Sequence, residues 1–178
     1  MSTNYYMNIA NQELVYRYFP DEYEIVEYPF LSYEIHIGKR SIGWKPLFQV
    51  HEKAYQSVSE MKKFIREHQS DIKIFDEYKR ELTLDELEDE LINWAEHQQV
   101  RYMKYVPEGV CIELFGREYR DYLIKSTVDD YDIRMPYDHL EYHKLNPYGE
   151  DRSLCDSSME PLYIHDKDGY DFMRGDFC

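Results

Sequence analysis

The residues that first suggest chemistry form a short basic segment between His36 and Lys45 of this 178-residue chain. Gly38 and Gly43 let backbone N–H groups approach an anion closely, and the cations add positive charge. The segment is therefore a candidate site for a phosphate, a carboxylate or an acidic protein surface. The residues assigned to this site are His36, Lys39, Arg40, Ser41, Trp44 and Lys45.

Two other interpretations of the basic segment remain open at this point. It is also consistent with a soluble hairpin turn, or with ion pairing to the acidic C-terminal part of the chain. A Walker A loop is excluded, because Tyr33 stands where its first glycine is required and Arg40 stands where Ser or Thr must follow the lysine.

Two further patterns resemble metal sites and fail the same kind of test. His139 and His143 lie four residues apart, but the zinc motif HExxH needs Glu directly after the first histidine. Asp166 and Asp168 precede Gly169, but this segment lacks the ligand number of a calcium loop, so we predict an Asp-Gly turn between strands. We expect no metal site, no cofactor and no catalytic constellation.

Hydrophobic periodicity predicts the elements that surround the basic segment. A short helix within residues 8–19 is expected to end before Pro20, because the residue before proline is pushed out of the α region. Strands are predicted at Glu22–Tyr28, Leu31–Ile37 and Trp44–Val50. The basic segment then connects the last two strands as a hairpin turn.

Two amphipathic helices follow, and each begins at a capping-box pattern. Ser57 with Glu60 marks the first start, and Thr83 with Glu86 marks the second, for a helix over residues 83–96. Further strands are predicted at Ile72–Phe75 and in a hairpin formed by Val100–Val106 and Val110–Phe115.

Together these patterns predict a single small α+β domain with a mainly antiparallel sheet and two amphipathic helices. Residues 1–128 form its core in this interpretation. Residues 129–178 hold thirteen Asp or Glu against five Lys or Arg, yet they stay rich in aromatic residues. We therefore interpret them as an irregular acidic extension packed on the sheet, and not as a disordered tail.

The net charge of −15 disfavours direct contact with nucleic acid or an anionic membrane. No apolar run is long enough to cross a bilayer, and the N-terminus lacks a secretory signal. The three cysteines show no metal-ligand spacing, which is typical of reduced thiols in a cytoplasm. Nineteen tyrosines offer many interface anchors. The sequence carries no signal for the oligomeric state.

Short motifs at two places give a resemblance. His36-Ile37-Gly38-Lys39, then Ser41 and Gly43-Trp44, resembles the HIGK-S-S-x-G-W signature of small uncharacterised tailed-bacteriophage proteins. The segment 168–177 resembles the EGxEF…GEF close of the same family. This chain departs from it by placing Arg40 before Ser41 and by ending in Cys178. The resemblance implies a phage product of the bacterial cytoplasm, in host takeover or anti-defence, and implies no reaction.

The leading hypothesis is a non-enzymatic protein that binds and modulates or inhibits a host protein through that protein's basic surface. The predicted acidic interaction face consists of Asp85, Glu88, Asp89, Asp166, Asp168 and Asp171. The alternative hypothesis is a binding protein or enzyme for a small phosphate ligand or nucleotide, held by the basic segment between Gly38 and Lys45.

Overall fold

The computed structural model describes residues 2–42, 45–94, 99–103, 133–136, 163–175 and 177. The elements in chain order are β1 (Ser2–Ile9), α1 (Gln12–Tyr18), β2 (Glu24–Val26), β3 (Ser32–Ser41), β4 (Leu47–Gln49), α2 (Val58–Glu67), β5 (Ile72–Asp76), β6 (Glu81–Leu82), α3 (Leu84–Leu87) with a π-helical continuation Glu88–Ile92, β7 (Gln99–Met103), β8 (Ile133–Pro136), β9 (Tyr163–His165) and β10 (Asp171–Met173). The predicted α+β class is confirmed.

Within the described residues, eight strands form one mixed sheet in the order β6-β5-β1-β3-β4-β10-β9, and β2 pairs with β3 outside this path. The pairs are antiparallel except β4 and β10, which run parallel from Asp171↔Leu47 to Met173↔Gln49. β7 pairs with β8 in a separate two-stranded sheet. Thus β9 and β10, from the predicted acidic extension, lie in the main sheet.

The two faces of the central strands differ because side chains alternate along a strand. On β1, Tyr5, Met7 and Ile9 are fully buried, and they share one apolar core with residues of α1, α2, α3 and the π-helical turn. The other face is polar. It pairs Tyr6 with His36 and Asn8 with Glu34 across β1 and β3.

The helix starts follow their local capping signals. The Thr83 hydroxyl accepts from Glu86 N at 3.1 Å, and the Glu86 carboxylate accepts from Thr83 N, so the predicted capping box is complete. At α2 the Ser57 hydroxyl caps Glu60 N at 3.2 Å, whereas the Glu60 carboxylate accepts from Gln56 N instead. The helix predicted over residues 83–96 leaves α geometry at Glu88, where the π-helical turn begins.

The helix predicted within residues 8–19 is confirmed as α1, which starts after its N-cap Asn11 and ends before Pro20. Residues 8 and 9 instead end strand β1, which the prediction missed. The hairpin of β3 and β4 is confirmed, but Gly38 to Ser41 belong to β3 and not to its turn. Gly38 is required in the strand because a Cβ there would lie 2.6 Å from the Leu47 carbonyl oxygen.

Candidate functional site

A cleft of about 460 Å³ opens where the edge of β3 is incompletely paired. β2 covers this edge from Ser32 to Glu34, and β4 covers Gly38 and Lys39. Between these positions no described strand pairs with β3 on this side, and His36 lines the cleft there. The register of β1 and β3 also shifts here, between Tyr5 and Tyr6. Such bulges are common next to functional sites.

The buried side chain of His51 contacts the β3 backbone in this gap. Its Nε2 lies 2.7 Å from the His36 carbonyl oxygen, and its Nδ1 lies 2.6 Å from Glu22 Oε2. The ring thus supplies the hydrogen bond that a neighbouring strand makes elsewhere along β3. Both ring nitrogens face oxygen acceptors, so the arrangement holds the cleft together and leaves no ring nitrogen for a substrate.

His36, one of the residues assigned to the predicted binding site, lies in the cleft wall. Its Nε2 faces Asn4 Oδ1 at 3.1 Å, and its Nδ1 faces Gln49 Oε1 at 3.4 Å. Burial lowers the pKa of His36 to about 4, so the ring is neutral at pH 7. The Phe177 ring packs against it with centroids 4.7 Å apart.

Carboxylates dominate the charge of the cleft, which Asp21, Glu22, Glu24 and Glu34 all line. Glu34 is nearly buried and binds Lys79 Nζ and Asn8 Nδ2. Glu24 stands directly opposite Glu34 across β2 and β3, an arrangement that is unfavourable for like charges. No cation in the described part of the chain contacts Glu24. The described lining of the cleft therefore contains four carboxylates and no lysine or arginine.

An aromatic and aliphatic surface adjoins the cleft. Tyr16, Tyr23 and Tyr33 form a cluster with ring centroids 5.0–6.0 Å apart, and Tyr23 also lines the cleft. Large apolar side chains stand exposed on and beyond β2. They are Ile25 (67%), Tyr28 (69%) and Leu31 (69%). Tyrosine combines contact area with a polar tip, which suits it to protein interfaces.

Two of the three cations of the predicted anion site, Lys45 and Arg40, make contacts within the protein. Lys45 is buried, and its Nζ lies 2.7 Å from Asp171 Oδ2. Arg40 Nη1 donates to the Glu90 carbonyl oxygen at 2.8 Å, and its guanidinium lies over the Tyr5 and Trp94 rings. Lys39 and Ser41 are half-buried in β3, and Trp44 lies outside the described residues. Pairing with the acidic C-terminal part, one of the open interpretations, is observed for Lys45.

The six acids of the predicted interaction face are divided between two surroundings. The three C-terminal acids bind groups of their own chain: Asp166 Oδ2 accepts from Val58 N at 2.8 Å, Asp168 Oδ2 accepts from Ser59 N at 2.9 Å, and Asp171 pairs with Lys45. The predicted Asp-Gly turn is confirmed between β9 and β10, with Gly169 at a φ of 88°.

The remaining three acids lie on α3 and the π-helical turn. Glu88 binds Lys62 Nζ at 2.7 Å, whereas Asp85 and Asp89 are exposed. The six acids of the predicted face are therefore engaged to different extents by groups of their own chain.

The cleft residues Glu22, Glu24, Glu34 and His51 were missed by sequence reasoning. The only local signal for them is the group of acids around the predicted strand Glu22–Tyr28. His139 and His143 lie outside the described residues. Among the residues that are described, no group of three His, Cys, Asp or Glu is placed to hold a metal ion, and no helix has the length and apolarity to span a membrane.

Comparison of the chain with protein-family models, characterised proteins and solved structures gave no match. A functional conclusion therefore depends on the chemistry of the described surface.

Proposed function

We propose that this chain is a non-enzymatic interaction protein that binds a basic surface of another protein through the acidic cleft and its tyrosine-rich border. The observation that carries the proposal is an open cleft lined by four carboxylates, in which both histidine rings are already hydrogen-bonded. Such a cleft offers negative charge to a ligand, and among the described residues it presents no unengaged histidine base.

The resemblance to small tailed-phage proteins supports a host protein of the bacterial cytoplasm as the partner. Binding then modulates or inhibits that host protein, and a defence factor is one candidate. The alternative, a phosphate-binding protein, loses support because Lys45 and Arg40 already contact groups of this chain.

Partner capture from a host lysate tests the proposal when matched charge variants are included. The cleft variant Asp21→Asn/Glu24→Gln removes two negative charges from exposed cleft positions. The control variant Asp85→Asn/Asp89→Asn removes two charges from exposed positions on α3 and the π-helical turn. Both leave the Glu22–His51 contact unchanged.

We expect the wild type and the α3 control to retain the same partner and the cleft variant to lose it. The affinity should fall as salt rises, because exposed charges are screened with a Debye length of about 10 Å at 0.1 M. Recovery of no partner, or an affinity that is independent of salt, overturns the proposal. If only the control variant fails to capture the partner, the contact lies away from the cleft, and this result also contradicts the proposal.

A further inference from the structure

We infer that the outer edge of β2 binds an extended segment of the partner as an added strand, in which Lys or Arg alternates with apolar residues. The inference rests on the proposed function and names the partner chemistry of the same site. It follows from the pairing of β2, the division of its two faces and the charge of the cleft.

The first step is the pairing of β2. Within the described strands, β2 pairs with β3 alone, through Glu24↔Glu34, Ile25↔Tyr33 and Val26↔Ser32. Its other edge therefore presents backbone N–H and C=O groups that no described strand binds. Proteins commonly protect such edges with charged side chains, proline, a bulge or a very short strand. β2 has only three residues, and its central residue Ile25 is apolar with 67% of its surface exposed.

The second step is the difference between the two faces of β2. Directly paired residues of neighbouring strands share a face of the sheet. Glu24 therefore lies on the side of Glu34 and the cleft, and Ile25 lies on the side of Tyr33 and the tyrosine cluster. Because side chains of an added strand also alternate, every second residue meets carboxylates and the others meet Ile25 and the tyrosine rings.

The third step is charge complementarity, which selects Lys or Arg for the cleft side. Of the four cleft carboxylates, Glu34 binds Lys79 and Glu22 binds His51, whereas Asp21 and Glu24 are exposed. A guanidinium or ammonium group beside Glu24 relieves its opposition to Glu34. The volume of about 460 Å³ lies within the range of about 300–1,000 Å³ typical of ligand pockets.

Three synthetic peptides separate strand addition from simple charge attraction. The first alternates Arg and Val, the second has the same composition with all Arg before all Val, and the third is the alternating peptide with N-methylated valines. N-methylation removes backbone donors without changing side-chain charge. Affinities for the full chain are measured by calorimetry at low salt, with amide hydrogen exchange of those β2 residues whose N–H faces away from β3 as the structural readout.

We expect the alternating peptide to bind about tenfold tighter than the other two, a difference of 1.4 kcal/mol, and to protect the β2 amides from exchange. Glu24→Lys should abolish this preference, whereas Asp85→Lys should leave it unchanged. Equal affinity of all three peptides overturns strand addition, and it leaves the proposed function standing if Asp21→Asn/Glu24→Gln weakens them all.

Two other outcomes also contradict the inference. Binding of no basic peptide, together with no salt-dependent partner capture, contradicts the proposed function as well. Self-association of the chain through β2 would be measured by sedimentation and by competition with the alternating peptide. This result assigns the β2 edge to a second copy of the chain and rules out a Lys- or Arg-bearing partner segment as its occupant.

Discussion

The buried ion pair between Lys45 and Asp171 gives the sharpest test of how the basic segment is used. Its two side chains are 8% and 2% exposed, and the charged atoms lie 2.7 Å apart. In Lys45→Met the aliphatic stem is kept and the charge is removed, so the buried Asp171 carboxylate loses the ammonium group that lies beside it. Removing one partner of a buried pair costs about 3–5 kcal/mol.

That loss is a large part of the 5–15 kcal/mol by which domains are commonly stable. We expect urea denaturation of Lys45→Met to show a lower midpoint with an unchanged slope. The double variant Lys45→Met/Asp171→Leu replaces both charges by apolar groups of similar size. It should recover most of the loss, because apolar replacement of a whole buried pair is commonly neutral or stabilising.

The matched control is the exposed pair Lys63–Glu67, whose charged atoms lie 3.7 Å apart and whose lysine is 74% exposed. Lys63→Met should change the free energy of unfolding by less than about 1 kcal/mol. If Lys45→Met costs no more than this control, the ion pair is not a structural element of the fold. The basic segment would then again be a candidate for external binding.

Three further predictions concern other buried contacts. Gly38→Ala should lower the free energy of unfolding in urea by about 1–3 kcal/mol, since its Cβ would press on the Leu47 carbonyl oxygen; a loss under about 0.5 kcal/mol contradicts the close contact. For His36, the folded-state pKa of about 4 lies below the ordinary 6.5, so the unfolded state binds more protons between these values. Stability should therefore fall by about 3 kcal/mol as pH drops from 6.5 to 4, and a difference profile against His36→Gln that is flat with pH refutes this. Asp166→Ala should cost about 1–2 kcal/mol by thermal or urea unfolding, because Val58 N loses its acceptor, with Asp166→Asn intermediate; equal stability of the three proteins contradicts it.

The elements that the sequence predicts best are those whose cause is local. The starts of α2 and α3 depend on a hydroxyl and a carboxylate within four residues of each other, and both occur where they were predicted. β1 was missed although Tyr5, Met7 and Ile9 alternate with polar residues. This alternation is a local strand signal, and the pairing of β1 with β3 and β5 is what the structure adds to it.

The cleft could not be predicted, because contacts between distant residues create it. His51 meets Glu22 from 29 positions away, and no motif relates the two residues. The basic segment shows the reverse problem. Its residues are adjacent in sequence and suggest one site, but Gly38 packs against a strand while Lys45 pairs with an aspartate far along the chain. Their proximity in sequence therefore suggested a common site, whereas in the structure they make separate contacts.

The contacts between residues 45–59 and 166–173 can form only late in the synthesis of this protein. Asp171 follows Lys45 by more than 100 residues, and Asp166, which accepts from Val58 N, follows Val58 by 108 residues. At a translation rate of about 5–20 residues per second, that delay is roughly 6–25 s. During this interval the nascent chain contains Lys45 but not yet Asp171. It also contains the first α2 amides but not yet the carboxylates of Asp166 and Asp168 that accept from them. Completion of this part of the fold therefore follows the emergence of β10 from the ribosome, because β10 pairs with β4.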